Sequence, residues 1–186
     1  MVTGTDPQPF SWRADALLAA ALTACALLVY ASQAAPTLTW RNASADGGDL
    51  AAAVATLGVP HPTGYPTYVL LGRLFSLLLP WGDIAYRLNL MSGAFSALAV
   101  GALYLAARLL QALLAPGASS PPTGRGQARW VHRGTAATGA LAYAFAPVPW
   151  SQATITEVYA LNAFFAAALL LCALGWLRAR ASSPAS

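Results

Sequence analysis

Leu88-Asn-Leu-Met-Ser-Gly-Ala-Phe-Ser-Ala-Leu-Ala-Val-Gly-Ala-Leu-Tyr-Leu-Ala-Ala107, held between Arg87 and Arg108, decides the fold class. A charge-free run of this length matches the roughly 20 apolar residues a helix needs to cross a hydrocarbon layer about 30 Å thick. Three similar gaps between charges lie outward from it: Ala16 to Ala35, Thr135 to about Val148, and Val158 to Leu177. Composition agrees, since 58% of the 186 residues are hydrophobic and 9% charged, with a mean hydropathy of +0.56. A soluble domain carries roughly 25% charged residues. The reading is an all-α membrane protein, and the same numbers exclude disorder, collagen and coiled coil. All ten basic residues are Arg, so the net charge of +4 reflects a few placed arginines and not a polybasic surface. Nucleic acid is not an expected partner. Cys25 and Cys172 lie inside apolar runs, where they act as small hydrophobes and define no disulfide or metal pattern.

A fifth apolar stretch, Tyr68 to Leu79, is short, is closed by Pro66 and Pro80, and carries Arg73 in its middle. It suits an interfacial or re-entrant helix better than a span. With it excluded, the positive-inside rule places Arg13, Arg108, Arg125, Arg129, Arg133, Arg178 and Arg180 on the cytoplasmic face. Asp46, Asp49, Asp83 and Glu157 then lie outside. The expected organisation is one membrane domain: a cytoplasmic tail 1–14, a span 15–36, an outer loop 37–87 with interfacial helices, and a span 88–114. A cytoplasmic loop 115–134, a span 135–149, an outer loop 150–157, a span 158–177 and a cytoplasmic tail 178–186 complete it. The first run is longer than a signal-peptide core, so it reads as an uncleaved anchor. Gly93, Ala97 and Gly101, four residues apart, make a small-residue stripe for close helix packing.

Two polar islands interrupt the apolar pattern. In the first, Asp46-Gly47-Gly48-Asp49-Leu50 opens a helix, with Asp46 as N-cap and Asp49 at the capping-box position. Capping leaves the glycine pair unexplained unless something approaches the backbone closely. Two carboxylates there equally suit a general base or a cation site. The segment Leu57-Gly-Val-Pro-His61-Pro-Thr-Gly-Tyr65-Pro-Thr-Tyr68 cannot be regular helix, and its prolines hold His61 and Tyr65 on a stiff rim. Irregular backbone near a membrane persists where it is buried in protein or lines a wet cavity. The second island, Pro147 to Asn162, carries Trp150 and Tyr159 as interfacial anchors. It also carries Glu157, the only Glu, with Asn162 deeper along the helix. A rim acid is costly without a partner, and Arg87 and Asn89, entering the second span from the same side, are candidates for that partner.

No P-loop, dinucleotide fingerprint, zinc-protease, nucleophile-elbow or Cys/His metal motif is present. The ordered set Asp46-Gly-Gly-Asp49-Leu50, Leu57-Gly-Val-Pro-His61-Pro-Thr-Gly-Tyr65-Pro66, Arg87-Leu-Asn89-Leu, Trp150-Ser-Gln152 and Glu157-Val-Tyr159-Ala-Leu-Asn162 resembles the N-terminal part of a membrane family. That family is common in bacteria, is related to protein O-mannosyltransferases, and belongs to the GT-C class of glycosyltransferases. The likeness runs from about Thr37 to Trp176.

The resemblance implies an enzyme of a bacterial inner membrane that takes a sugar from a polyprenyl-phosphate donor. It would place that sugar on an acceptor on the non-cytoplasmic side, with inversion. Asp46 would be the catalytic acid of the first outer loop, with Asp49 in the place of the family's Glu. His61, Arg73 and Arg87 are candidates for the donor phosphate, and Tyr65, Asn89, Gln152, Glu157, Tyr159 and Asn162 complete the substrate-binding set. No cofactor is certain. A divalent metal between Asp46 and Asp49 stays open. GT-C enzymes generally have more spans, so a second polypeptide completing the fold is a further expected partner, beside membrane lipid. The rival reading is a non-catalytic module that binds lipid-linked saccharide or a partner subunit. A small transporter is disfavoured because the spans are nearly free of ionisable groups. The topology predicts that a Cys introduced beside Asp46 reacts with an impermeant thiol reagent from outside the cell while one beside Arg125 does not. The reverse pattern would overturn it.

Overall fold

The computed structural model describes residues 10–114 and 125–182, and its regular structure is all helix, with no strand among the described residues. The helices are α1 (Trp12–Gln33), α2 (Gly47–Thr56), α3 (Pro66–Leu78), α4 (Ile84–Leu114), α5 (Arg125–Ala144), α6 (Pro147–Ala153) and α7 (Tyr159–Ser182). A short 3-10 turn covers Arg41–Ala43. Among the described residues, α1, α4 and the Tyr159–Ala181 part of α7 are long and apolar enough to cross a membrane.

α4 is the axis, about 46 Å long at 1.5 Å per residue, with α1, α5 and α7 packed around it. Its small residues permit that approach. A Cβ on Gly101 would run into the Thr23 hydroxyl and lie 3.3 Å from the Ala19 carbonyl of α1. One on Gly93 would lie 3.3 Å from both the Ala153 carbonyl and Tyr30. The small-residue stripe therefore seats α1 and α6 against α4.

At one end of the bundle, the carboxylate of Asp15 is fully buried and gathers three elements. It accepts from the Ser11 amide at 2.8 Å, the Tyr104 hydroxyl at 3.1 Å, Arg108 Nε at 3.2 Å and Arg133 Nε at 3.0 Å. Arg108 also donates to Gln111 at 2.7 Å, and Gln111 donates to Thr135 at 3.0 Å. Asp15 and Arg108 thus do more than mark span boundaries: with Arg133 they fasten α1, α4 and α5 together.

Several boundaries differ from the sequence reading. α5 begins at Arg125, so the second half of the expected 115–134 loop is helix, while 115–124 lie outside the described residues. Arginines at 125, 129 and 133 did not prevent this because they recur every four residues along one side of the helix. The expected span at 135–149 is the apolar end of α5, a break at Phe145–Ala146, and the start of α6. α6 opens with Pro147, whose missing amide is harmless at a first helical position. α7 continues through Arg178 and Arg180 to Ser182, and residues 1–9 and 183–186 of the two expected tails lie outside the described residues. The expected interfacial helices of the first outer loop correspond to α2 and α3.

Removing one partner of a buried ion pair costs about 3–5 kcal/mol because the other charge is stranded. Asp15→Ala is expected to lower the thermal unfolding temperature in detergent sharply, while Asp83→Ala, at an exposed position, lowers it little. Equal effects would contradict the anchoring role of Asp15.

Candidate functional site

The two polar islands meet at the end of the bundle opposite Asp15, and Asn89 joins them. Its side chain, 1% exposed, donates to the carbonyls of Ala35 at 2.7 Å and Thr37 at 3.2 Å, just beyond α1. Its carbonyl oxygen accepts from Thr156 Oγ1 at 2.7 Å, beside Glu157 in the second loop. Asn42 adds a second tie, donating to Thr154 Oγ1 at 3.3 Å and the Ser151 carbonyl at 3.4 Å. Both asparagines hold backbone and loop, so Asn89 acts here as a positioning residue.

The acids of the first island do not cap α2. Asp46 stands at the N-cap position with φ −91° and ψ −8° and makes no side-chain capping bond, which corrects the capping reading. The extended backbone that would aim its carboxylate at the first-turn amides is absent. Asp49 is likewise turned away, because one of its oxygens accepts from both the backbone amide of His61 at 2.8 Å and the ring Nδ1 at 2.7 Å. The other ring nitrogen, Nε2, lies 3.7 Å from Asp46. His61 therefore sits between the two carboxylates, with the Tyr65 ring edge-on at 5.4 Å. The side chains of Asp46, Asp49 and His61 are between one-third and one-half exposed, so the cluster opens to solvent.

The glycine pair now divides into two cases. A Cβ on Gly47 would meet the Ser44 hydroxyl at 2.7 Å and the Thr156 carbonyl at 3.5 Å, so this position is where the two loops touch. Nothing stands within 4 Å of a Cβ on Gly48, leaving open space above that turn.

Charge follows this geometry. The His61 bond to Asp49 raises the imidazole above its ordinary 6.5, helped by the charges of Asp46, Asp49 and Glu157. The two bonds from His61, amide first and ring second, hold the Asp49 carboxyl below its ordinary range. Glu157, 4% exposed, is pushed up by burial and then by the nearby charge of Asp46. The expected Glu157–arginine pair is not present among the described residues, and the charged groups that act on Glu157 are Asp46 and His61.

The remaining expected site residues divide between this cluster and other tasks. Arg87 donates to the carbonyls of Ser76 at 2.8 Å, Gly82 at 3.0 Å and Trp81 at 3.2 Å, tying the end of α3 to α4. Arg73 donates to the Ala55 carbonyl at 3.2 Å, joining α3 to α2. Carbonyls at and beyond helix ends capture both guanidiniums. Gln152 donates to Ser151 Oγ at 3.2 Å, while Tyr159 and Asn162 are exposed at the start of α7. For a metal, the place between Asp46 and Asp49 is taken by the His61 ring. Among the described residues no group of three or more His, Cys, Asp or Glu side chains is set to hold an ion.

Sequence reasoning passed over Thr156 and Tyr68. The Thr156 hydroxyl, 2% exposed, was masked by its setting in an unremarkable polar run. The Tyr68 hydroxyl is buried without a hydrogen-bond partner, and burial raises its pKa, with the charge of Glu157 adding to the shift.

Residues 46–186 match the family model described as the N-terminal domain of the protein O-mannosyl-transferase TMEM260. The chain is 32% identical over 181 residues to the mouse protein O-mannosyl-transferase TMEM260, covering 94% of this chain and 22% of that protein. It is 26% identical over 138 residues to the Dictyostelium discoideum protein O-mannosyl-transferase tmem260, covering 73% of this chain and 14% of the relative. No solved structure matches. The chain belongs to the TMEM260 N-terminal domain family, and it spans about a fifth or less of the curated relatives it matches.

The direction of the two shifts sets a pH window. The raised His61 favours the folded arrangement below about 6.5 and loses that contribution as pH rises through its folded pKa. The lowered Asp49 favours it above its ordinary 3.8 and loses it as pH falls through its folded pKa. An NMR titration is expected to show His61 above 6.5 in the native chain, and closer to 6.5 in Asp49→Asn. An unchanged His61 titration in the variant would contradict the pairing.

Proposed function

We propose that this chain carries the acidic-loop site of a glycosyltransferase that moves a sugar from a polyprenyl-phosphate donor to an acceptor hydroxyl on the non-cytoplasmic side of a membrane. The cluster of Asp46, His61 and Asp49, backed by Glu157, is the observation that carries this reading. It lies inside the segment shared with proteins named as O-mannosyl-transferases.

In this mechanism Asp46 is the base. Its carboxylate is spared from capping, is half-exposed, and faces His61 Nε2 without a short bond that would consume it. Asp49, bound twice by His61, is committed to holding the imidazole. As the acceptor oxygen attacks the anomeric carbon, its proton passes to Asp46. The bond from that carbon to the donor phosphate breaks on the opposite face, and the phosphate departs with the electron pair. Configuration inverts in one displacement. A phosphate leaves without protonation, so it needs cationic stabilisation and no general acid. Glu157 is buried, and burial together with the charge of Asp46 raises its carboxyl above the ordinary range.

Membrane lipid and the lipid-linked donor are the partners this reading names, with a second polypeptide as a further proposed one. A second reading is a module that binds lipid-linked saccharide without catalysis.

Radiolabelled sugar transfer from polyprenyl-phosphate donors, in membranes expressing the chain, separates the two. Loss of a general base lowers rate by about 10²–10⁴-fold, and Asp46→Asn is expected to fall in that range with donor binding kept. Folded chain that binds donor and transfers nothing would support the binding module instead.

A further inference from the structure

A second cleft lies at the same end of the bundle, outside the carboxylate cluster. It has a volume of about 520 Å³ and is lined by the end of α1 with Gln33 and Pro36, by Thr39, Arg41 and Asn42, and by Trp150, Thr154 and Ile155. The lining contains one guanidinium, two amides and two hydroxyls, and no carboxylate. Arg41 is exposed, and its side chain makes no hydrogen bond, ion pair or ring contact. The indole N–H of Trp150 and the amide of Gln33 also make no hydrogen bond.

These donors stand on a braced frame. The Trp150 ring packs edge-on against Tyr30 at 6.0 Å and tilted against Phe145 at 5.4 Å. Tyr30 is itself fully buried and donates to the Ala144 carbonyl at 2.8 Å. Asn42 is in the left-handed region at φ 57° and is tied to Ser151 and Thr154. Thr39 Oγ1 accepts from the Arg41 amide at 3.1 Å, bracing the turn that presents the guanidinium. A wall of this kind, donor-rich, free of acids and backed by a rigid aromatic face, suits an anion with a polar group beside it.

We propose that this cleft is a phosphate-headgroup subsite, with Arg41 as the anion's ligand and Trp150 as the wall for the polar moiety attached to the phosphate. The inference rests on the glycosyl-transfer reading and extends it. Arg73 and Arg87 are engaged by carbonyls, so Arg41 is the arginine left available on this end of the bundle. The cleft and the base are joined along both loops. Arg41 precedes Asp46 by one short turn and Thr154 precedes Glu157 in the second loop.

The test is equilibrium binding of farnesyl phosphate to the purified full chain in detergent, with inorganic phosphate, farnesol and a short-chain phosphatidylglycerol as parallel ligands. Loss of a charge-assisted bond is expected to weaken farnesyl phosphate about tenfold or more in Arg41→Gln. Arg41→Lys, which keeps the charge, is expected to retain most of the affinity, and Trp150→Phe, which keeps the packing on Tyr30, to weaken it less than Arg41→Gln. Farnesol is expected not to compete. Unchanged affinity in Arg41→Gln, or no binding to the native chain, would overturn the subsite. Equal affinity for inorganic phosphate or phosphatidylglycerol would overturn its assignment to a prenyl-phosphate donor. Asp46→Asn in the same assay is expected to bind as the native chain does. Transfer that depends on Asp46 but not on Arg41 would sink this inference and leave the proposed function standing. Arg41-dependent binding without any transfer would do the opposite.

Discussion

Asn89 makes the hydrogen bonds on which the arrangement at this end of the molecule depends. Near a membrane, an unpaired backbone carbonyl or amide costs far more than it would in water. α1 ends in an irregular segment whose carbonyls at Ala35 and Thr37 need donors, and Asn89 supplies both. Its remaining acceptor takes the Thr156 hydroxyl, so one side chain settles where the first loop begins and where the second loop ends. Asp46 and Glu157 are brought near each other as a consequence. The Asp15 cluster acts at the opposite end, clamping α1, α4 and α5, so the span of α4 is fixed at both ends by polar contacts.

The site at the Asn89 end of the bundle combines rigidity with openness. His61 is held through its backbone amide as well as its ring, and the flanking prolines limit how far the rim can move. Open space above Gly48 and the partial exposure of both aspartates leave room for a substrate. The charges of three acids act on a single imidazole, and their surroundings separate them. Hydrogen bonds from His61 hold the Asp49 carboxyl below its ordinary range, while burial raises that of Glu157. Groups pushed apart in this way are characteristic of sites that handle protons.

The membrane class and the apolar helices were legible because charge gaps and hydropathy report directly on transfer into hydrocarbon. The family was legible because its motifs sit on the two polar islands in order. The roles of individual charges were less so. Asp46 and Asp49 have the spacing of a capping box, yet spacing does not specify the backbone angle at position 46, and His61 competes for Asp49. Arg87 and Arg73 look like free cations in one dimension, but the nearest unsatisfied groups are carbonyls at helix ends. Arg133, assigned from sequence to a loop, is helical and reaches Asp15 across 118 positions of sequence, a pairing no local pattern encodes.

The two polar loops are proposed to form one site for a sugar carried on a prenyl phosphate. Photo-crosslinking with a diazirine-bearing prenyl-phosphate sugar, followed by peptide mapping, tests it most directly. Label is predicted on both 39–65 and 150–157, and it should disappear when unlabelled prenyl-phosphate sugar is added. Competable label confined to the mid-sections of α4 and α7, with neither loop marked, would contradict the account.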